Sequence, residues 1–373
     1  MHMAKVADVM RWMNDWAPPA LAMDWDRVGL QVGDPNAHVD TLLATLDVTE
    51  NVVAEAVQKG ANMIVAHHAL LFQPLKELRL DTEKGRIIQK LLQHGIAVFV
   101  AHTNLDIAEG GVNDVLAERL QLQDVRILSR QHNEELLKFV VFVPEEQAEH
   151  VRTAICEAGA GWIGNYSHCT FNTAGVGTFV PQTGTDPFIG KQGQLEKVRE
   201  IRLETIVPRS LQTKIIEACL QAHPYEEVAY DLYPLEVMGK EYGIGRIGVL
   251  PKPMTLETFA AWTKQRLESK HLRFVGDKGQ QISKVAVLGG AGMDWAKEAK
   301  RLGADVFVTG DVKYHEAQDA QTMRLAVIDA GHNATEKWIR EKICEELTRR
   351  GLQEQTSIRC IASETDTETF QQV

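Results

Sequence analysis

The feature that most constrains this chain is an alternation of short apolar runs with amphipathic ones toward both of its ends. Toward the start, "TLLATLDVT" (41–49) reads as a strand and "ENVVAEAVQKG" as a helix closed by Gly60; "ANMIVAHH", "GRIIQKLLQHG" and "IAVFVAHTNLD" then read as strand, helix and strand. Toward the end, "KVAVLGGAG" (284–292), "ADVFVTGD" (304–311) and "RLAVIDAGH" (324–332) read as strands, separated by the helical runs "MDWAKEAKRLG" and "YHEAQDA". "ATEKWIREKICEELTRRG" is a long amphipathic helix. Unbroken runs of Val, Ile, Leu and Ala suit strands buried on both faces, and strand–helix–strand order gives a parallel sheet covered by helices. An α/β fold is expected.

The middle has a different grammar. "KFVVFVPEEQAEHVRTAICEAGAG" (138–161) is a strand, a proline at a helix start, then a helix, and "RLETIVPRSLQTKIIEACLQAHP" (202–224) repeats it. Each is followed by a strand-like run, "YSHCTFNTAG" and "EEVAYDLYPL", and "VPQTGTDPFIGKQG" between them reads as a loop. Two β-α-β halves predict a ferredoxin-like α+β domain made by duplication. The expected organisation is an insert at 130–235 within one discontinuous α/β unit of two halves, 1–129 and 236–373. Three consecutive domains is the competing parse, and the similar strand endings on either side favour the discontinuous one.

Composition narrows the function classes. The formal charge is −11 with no Lys/Arg cluster, so a basic face for nucleic-acid phosphates is not expected. No stretch approaches the ~18 apolar residues of a membrane span. The N-terminal "MHMAKVADVMRWMNDW" lacks a signal peptide's apolar core and cleavage site and reads as an amphipathic helix. Five widely spaced cysteines (156, 169, 219, 344 and 360) with no C-x-x-C argue against a disulfide framework or zinc ribbon and for a reducing cytoplasm. Any metal would have to use histidines and carboxylates.

Ligands of open parallel sheets gather beyond the carboxyl ends of the strands, and three endings here carry metal-competent side chains. One ends in His67-His68, one contains His102 and Asp106, and one runs "AGHNATE", with His332 and Glu336 four apart on one helix face. Side chains of neighbouring residues diverge inside a strand, so the histidine pair fits where the chain leaves the pleat, or where each imidazole serves its own ion. Taking His67, His68, Asp106, His332 and Glu336 as ligands, two four-coordinate ions need about eight positions. Three imidazoles and two bridging carboxylates supply about seven, leaving one for water, a common hydrolytic arrangement. The donors suit Zn, Mn or Fe(II). His102 is either a plain polar terminus or a partner that orients a ligand.

Other stretches are weaker. "VLGGAGMDW" lacks G-x-G-x-x-G spacing and reads as a tight turn rather than a dinucleotide cradle. "TGDVKYHEAQ" gathers Asp311, Lys313, Tyr314 and His315, either as a solvated helix start or as a substrate wall where Lys313 meets an anion and His315 or Tyr314 handles protons. "MDWDRVGLQVGD" (23–34) reads as packing, and "HPYEEVAYDLYPL" mainly as strand and aromatic core.

In order, "WDRVGLQVGD", "VAHHALLF", "AHTNLD", "TGDVKYHEAQ" and "DAGHNATE" resemble the Nif-three-like family, dinuclear-metal-centre proteins often labelled GTP cyclohydrolase I type 2 homologues. The resemblance spans nearly the whole chain. "IGNYSHCTF", "GVGTFVP" and "HPYEEVAYDLYPL" resemble the insert of the longer bacterial members, which is similar to P-II-like trimeric modules. The resemblance implies two similar α/β halves around a cleft with two divalent metal ions, held by His67, His68, Asp106, His332 and Glu336. It also implies a toroidal homohexamer with the metals facing an inner chamber. The sequence departs from the family's pattern at Ala69, where a proline is usual, and at Arg27, where an asparagine is frequent. Two functions follow: a metal-dependent hydrolase of nucleotide-like or phosphorylated small molecules using a metal-bound hydroxide, with Lys313 or His315 steering substrate, or a non-catalytic metal-binding or regulatory assembly whose insert senses a ligand or partner.

Overall fold

The computed structural model describes residues 2–371. They divide into two compact units, one made of the residues up to 131 together with those from 242 onward, the other of His132–Glu241.

The first unit is α/β and holds two main sheets. A five-stranded sheet runs in the order Arg359–Ala362, Thr41–Thr45, Met63–Ala66, Ala97–Val100, Gly29–Val32, parallel except for its last edge strand. A six-stranded sheet runs Arg273–Val275, Ala326–Asp329, Val306–Gly310, Gln281–Ala291, Glu241–Thr255, Gln123–Asn133, with three parallel strands, Gln281–Ala291, Val306–Gly310 and Ala326–Asp329, at its centre.

Both faces of each sheet are buried, which explains the unbroken apolar runs. Val65 and Phe99 point into a core shared with Ala286 and Phe307 of the second sheet, the N-terminal helix residues Trp12 and Met13, and Ile343 and Leu347 of the helix Ile339–Gln353. Their strand neighbours Ile64, Val98 and Val100 point the other way, onto Val52, Val53, Ile88 and Leu91 of the helices Glu50–Gln58 and Glu83–Gln93. On the far side of the second sheet, Val285, Val287, Val306 and Val308 pack on Leu256 and Phe259 of the helix Leu256–Arg266. The two parallel sets are therefore layered on one inner core, which aligns their carboxyl ends.

The second unit follows β-α-β-β-α-β order. Leu136–Pro144 leads into the helix Ala148–Glu157 and the strand Thr170–Phe179; Glu196–Pro208 leads into Gln212–Ala222 and Tyr230–Pro234. The four strands are antiparallel, in the spatial order Tyr230–Pro234, Leu136–Pro144, Glu196–Pro208, Thr170–Phe179, a ferredoxin-like arrangement. Pro144 and Pro208 each open a short 3₁₀ turn before their helix, the structural form of the repeated "FVP" and "IVP". Entry and exit are paired, since Glu134 N–H donates to Lys240 O at 2.8 Å and Gly239 N–H to Glu134 O at 3.0 Å. Among the described residues no helix is long and apolar enough to cross a membrane.

One buried ion pair joins the two halves of the first unit. The Arg246 guanidinium, on the strand Glu241–Thr255, is 4 % exposed. It bonds both oxygens of Asp114 (2.5 and 2.7 Å), on the helix Val112–Arg119, and the carbonyls of Gly243 and Gly245 (2.9 Å each). Removing the carboxylate leaves a buried charge without its counter-ion. Asp114→Ala is therefore expected to cost about 3 kcal/mol, read as a lower urea midpoint with an unchanged slope. An unchanged midpoint would mean that the guanidinium finds other partners.

Candidate metal centre

The strand Met63–Ala66 ends one residue before His67, and the next two residues stay tied to the neighbouring strand's exit. His67 N–H donates to Thr45 O at 3.1 Å and His68 N–H to Leu46 O at 2.8 Å. The imidazoles diverge without pointing to opposite faces; their centroids are 5.1 Å apart and the rings are tilted by 41°. His102 and Asp106 come from the short helix Thr103–Ile107 and its cap, His332 and Glu336 from the helix His332–Glu336. The structure brings His67, His68, His102, Asp106, His332 and Glu336 together in three groups whose atoms could hold a metal ion: His68, His332 and Glu336; His67, Asp106 and Glu336; and His67, His68 and His102.

The first group is tight. His68 Nε2 and His332 Nε2 each lie 3.1 Å from Glu336 Oε2 and 3.3 Å from one another. Four donors at about 2.0–2.1 Å from a zinc-sized cation stand about 3.3–3.4 Å apart, so these three atoms match one face of such a site. In the second group His67 Nε2 is 3.6 Å from Asp106 Oδ1 and 4.0 Å from Glu336 Oε2. His67 Nε2 and Asp106 Oδ1 are buried and have no hydrogen-bond partner. Two polar atoms left in that state cost about 1–3 kcal/mol each, and a cation between them would satisfy both.

Each ring is turned by a bond at its other nitrogen, the arrangement that orients metal-ligating histidines. His67 Nδ1 bonds Ala101 O at 2.9 Å, His68 Nδ1 bonds Asp47 Oδ1 at 2.7 Å, and His332 Nδ1 bonds Asp311 Oδ2 at 2.7 Å. His102 Nδ1 bonds Asp26 Oδ1 at 2.9 Å, while Asp26 Oδ2 accepts from the Thr103 N–H and hydroxyl. The three Nε2 atoms of His67, His68 and His332 are left facing the centre.

The titration behaviour reflects a negative site in need of positive charge. Burial pushes His67 down to about 3 and keeps it neutral. Burial also opposes a proton on His68, but the Asp47 and Glu336 carboxylates outweigh it and lift His68 to about 10. His332 rises to about 9 against the same burial, through Glu336 and Asp311. Burial and the neighbouring Glu336 push the Asp106 carboxyl up, whereas His332 and His68 hold Glu336 well below its ordinary range despite its burial.

Backbone features the sequence does not advertise complete the centre. Gly290, in "VLGGAG", has φ +63°, and a Cβ there would overlap Glu336 Oε1 and come within 3.1 Å of His332 Nε2. The expected tight turn is instead an irregularity near the end of the strand Gln281–Ala291, where the pairing register shifts between Val287 and Ala291, and it forms the floor under two ligand candidates. Asn113 is fully buried; its Nδ2 donates to Asp106 O at 2.9 Å and its Oδ1 accepts from Gly289 N–H at 3.0 Å, tying the first half's ligand helix to the end of the second half's strand Gln281–Ala291. Sequence reasoning misses Asp26, Asp47, Gly290 and Asn113, although Asp47 follows a strand end and falls under the rule that singled out the histidines.

Lys313, Tyr314 and His315 stand differently. Lys313 is exposed and pairs with Glu316, His315 Nδ1 bonds Gln318 at 3.1 Å, and Tyr314 is 72 % exposed. None of them lines the cavity of about 550 Å³ beside the centre, whose walls include Asp47, His68, His271, Arg273, Asp311, Asp329 and His332.

Two expectations follow. Asn113→Leu strands one buried N–H and one buried C=O, each costing about 1–3 kcal/mol. It should lower the melting temperature and weaken metal uptake, and unchanged uptake would show that the tie is dispensable. The second concerns protons. The folded-state values of His68 and His332 lie above the ordinary imidazole value, so in the metal-free protein their protons stabilise the fold below about 6.5 and that stabilisation is lost as pH rises through about 9–10. A cation must displace them. Metal affinity should therefore rise from pH 6.5 to 9, with about two protons released per chain near pH 7.5, measured by titration calorimetry in buffers of different ionisation enthalpy. Uptake without proton release would contradict this.

The Duf34/NIF3 (NGG1p interacting factor 3) family model matches residues 4–369. A Bacillus subtilis protein named GTP cyclohydrolase 1 type 2 homolog is 46 % identical over 362 residues, covering 97 % of each chain. A Halalkalibacterium halodurans protein of the same name is 46 % identical over 370 residues, covering 99 % of each. Among solved structures, a Bacillus cereus protein described as related to NIF3 matches with a TM-score of 0.93 at 47 % identity, and a Staphylococcus aureus protein with 0.78 at 32 %, each pair covered in full. With an α/β fold, a clustered set of histidines and carboxylates, and these relatives along its whole length, the chain belongs to the Duf34/NIF3 family.

Proposed function

We propose that this protein holds two divalent cations and hydrolyses a nucleotide-like or phosphorylated small molecule. One cation would be held by His68, His332 and Glu336, the other by His67, Asp106 and Glu336. The observation that carries this is that Glu336 belongs to both groups of donors. Such cations supply Lewis acidity and a more acidic water, and the nitrogen and oxygen donors suit Zn, Mn or Fe(II).

The protein's own groups supply the rest. Asp47 and Asp311 hold the His68 and His332 rings in place. His102, held by Asp26, has its ring centroid 5.2 Å from that of His67 and 5.6 Å from that of His68, where its Nε2 can hold or pass a proton. Trp25 stands edge-on to His102 at 6.0 Å and 5.9 Å from Phe72, and both Trp25 and Phe72 are exposed, an aromatic shelf suited to a planar base. The neighbouring cavity carries Asp47, Asp311, Asp329 and Glu368 against Arg273, His271, His68 and His332; Arg273 is already paired with Asp329 at 2.8 Å, and His68 and His332 would give up their protons on holding a cation. An anionic substrate would thus depend on the cations for entry.

That acidic lining also favours a second function, a non-catalytic metal-binding or regulatory assembly in which the unit His132–Glu241 senses a ligand or partner. Both functions are compatible with a cytoplasmic homo-oligomer, a toroidal hexamer by family likeness. Exposed Trp162, Tyr166, Phe171 and Val176 on the inserted unit are suited to self-association.

The test combines metal content with turnover. Protein purified without added metal should carry about two ions per chain, the number that pairs of such donors accommodate. His68→Ala should lose about one ion and all turnover across a panel of nucleotides and phosphoesters. Trp25→Ala should keep its metal but raise KM for base-bearing substrates. Unchanged turnover in His68→Ala would sink the hydrolase. Full metal content with no turnover of any substrate would favour the assembly.

A further inference from the structure

The inserted unit contains a cleft of about 440 Å³ that the metal centre does not use. It opens between the end of the strand Thr170–Phe179, the loop that follows it, and the segment after the helix Gln212–Ala222. Three aromatic rings converge there: Phe179 and Phe188 stand 5.9 and 6.5 Å from Tyr225, tilted by 63° and 57°. Three glutamates, Glu200, Glu226 and Glu227, share the lining, and no lysine or arginine does.

The carboxylate among the rings is fixed. The Tyr225 hydroxyl donates to Glu200 Oε1 at 2.9 Å, and the other Glu200 oxygen lies where a Cβ on Gly177 would be. Glycine at 177 therefore keeps open the place that the carboxylate occupies. Burial and Glu200 together hold the Tyr225 hydroxyl in its protonated, donating form. Aromatic faces attract cations, most strongly when part of the charge is desolvated, and the ring edges and β-sheet floor give an apolar surface to the rest of the molecule. A metal ion would find carboxylates of which one is held by Tyr225 and one accepts from Asp186 N–H at 3.3 Å, set at an aromatic wall, a poor donor set; an anion would meet only negative charge. An organic cation satisfies both features of the lining.

We propose that this cleft binds a small organic ammonium ion, its charge beside Glu200 and its apolar body among Phe179, Phe188 and Tyr225. The site is independent of the metal centre and needs no catalysis.

The probe is choline, titrated into the full-length protein by calorimetry and by NMR saturation transfer, beside its neutral carbon isostere in which a tert-butyl group replaces the trimethylammonium. A short blocked peptide containing trimethyl-lysine is the third arm. Saturable choline binding at least about tenfold tighter than the isostere supports the proposal, a factor equal to about 1.4 kcal/mol. Glu200→Gln should weaken choline by about tenfold, within the range for a lost cation–carboxylate contact, with the melting temperature and metal content unchanged. Phe188→Ala removes an exposed ring and should weaken binding while leaving the fold intact. Equal binding of choline and isostere would overturn the ammonium assignment, as would the absence of saturable choline binding. Binding of the peptide alone would overturn the free ion as ligand. A change of oligomeric state in Phe188→Ala would mean that a second copy covers the cleft, and would also overturn it.

Discussion

Glu336 is a carboxylate at 4 % exposure, and much of the first unit is organised around balancing it. A buried charge is tolerated only with close partners of opposite sign. Here the partners are the Nε2 atoms of His68 and His332 at 3.1 Å, with His67 Nε2 beyond them at 4.0 Å. Imidazoles can supply that charge with protons, or make way for a cation that supplies more of it. Either way the histidines must arrive from separate strand ends at one point, and that requirement is met by the layering of both sheets on a common core.

The sheets deliver the ligand candidates, and a set of short bonds aims them. Without Asp47 and Asp311 the His68 and His332 rings would lose the bonds that orient them, and their triangle with Glu336, with 3.1–3.3 Å edges, would loosen; the Ala101 carbonyl does the same for His67. Asn113 extends the same logic to the backbone, since one amide side chain ties the helix of Asp106 to the strand end at Gly289. Geometry at the centre is thus inherited from outside it.

This division explains what the sequence discloses. His67-His68 and the His332–Glu336 pair stand out because histidine is rare and because both sets close apolar strand runs; pattern and chemistry coincide at the same residues. The doubled "FVP" and "IVP" are legible because proline before a helix leaves a mark at a fixed offset. Asp26 and Asp47 leave none: a carboxylate in a loop is common, and its partner, His102 or His68, is 76 or 21 residues away. Asn113 and Gly289, 176 residues apart, meet only after both sheets have formed. Lys313 and His315 are ambiguous in the sequence for a different reason, since their pattern suits a solvated helix start as well as a substrate wall. They follow a strand end, yet the helix Tyr314–Thr322 starts so that they bond within their own first turn, to Glu316 and Gln318.

The pairing of Glu134 with Lys240 has a consequence for how this chain is put together. A segment of about one hundred residues leaves and rejoins the host along two adjacent backbone strands, so its ends are already held at hairpin distance. Closing that gap needs only a short turn, and the entropy of loop closure depends weakly on what lies between. The insert is therefore a graft with a self-sealing stem. Replacing it by a short turn would leave the threading of the sheets that carry the histidines unchanged.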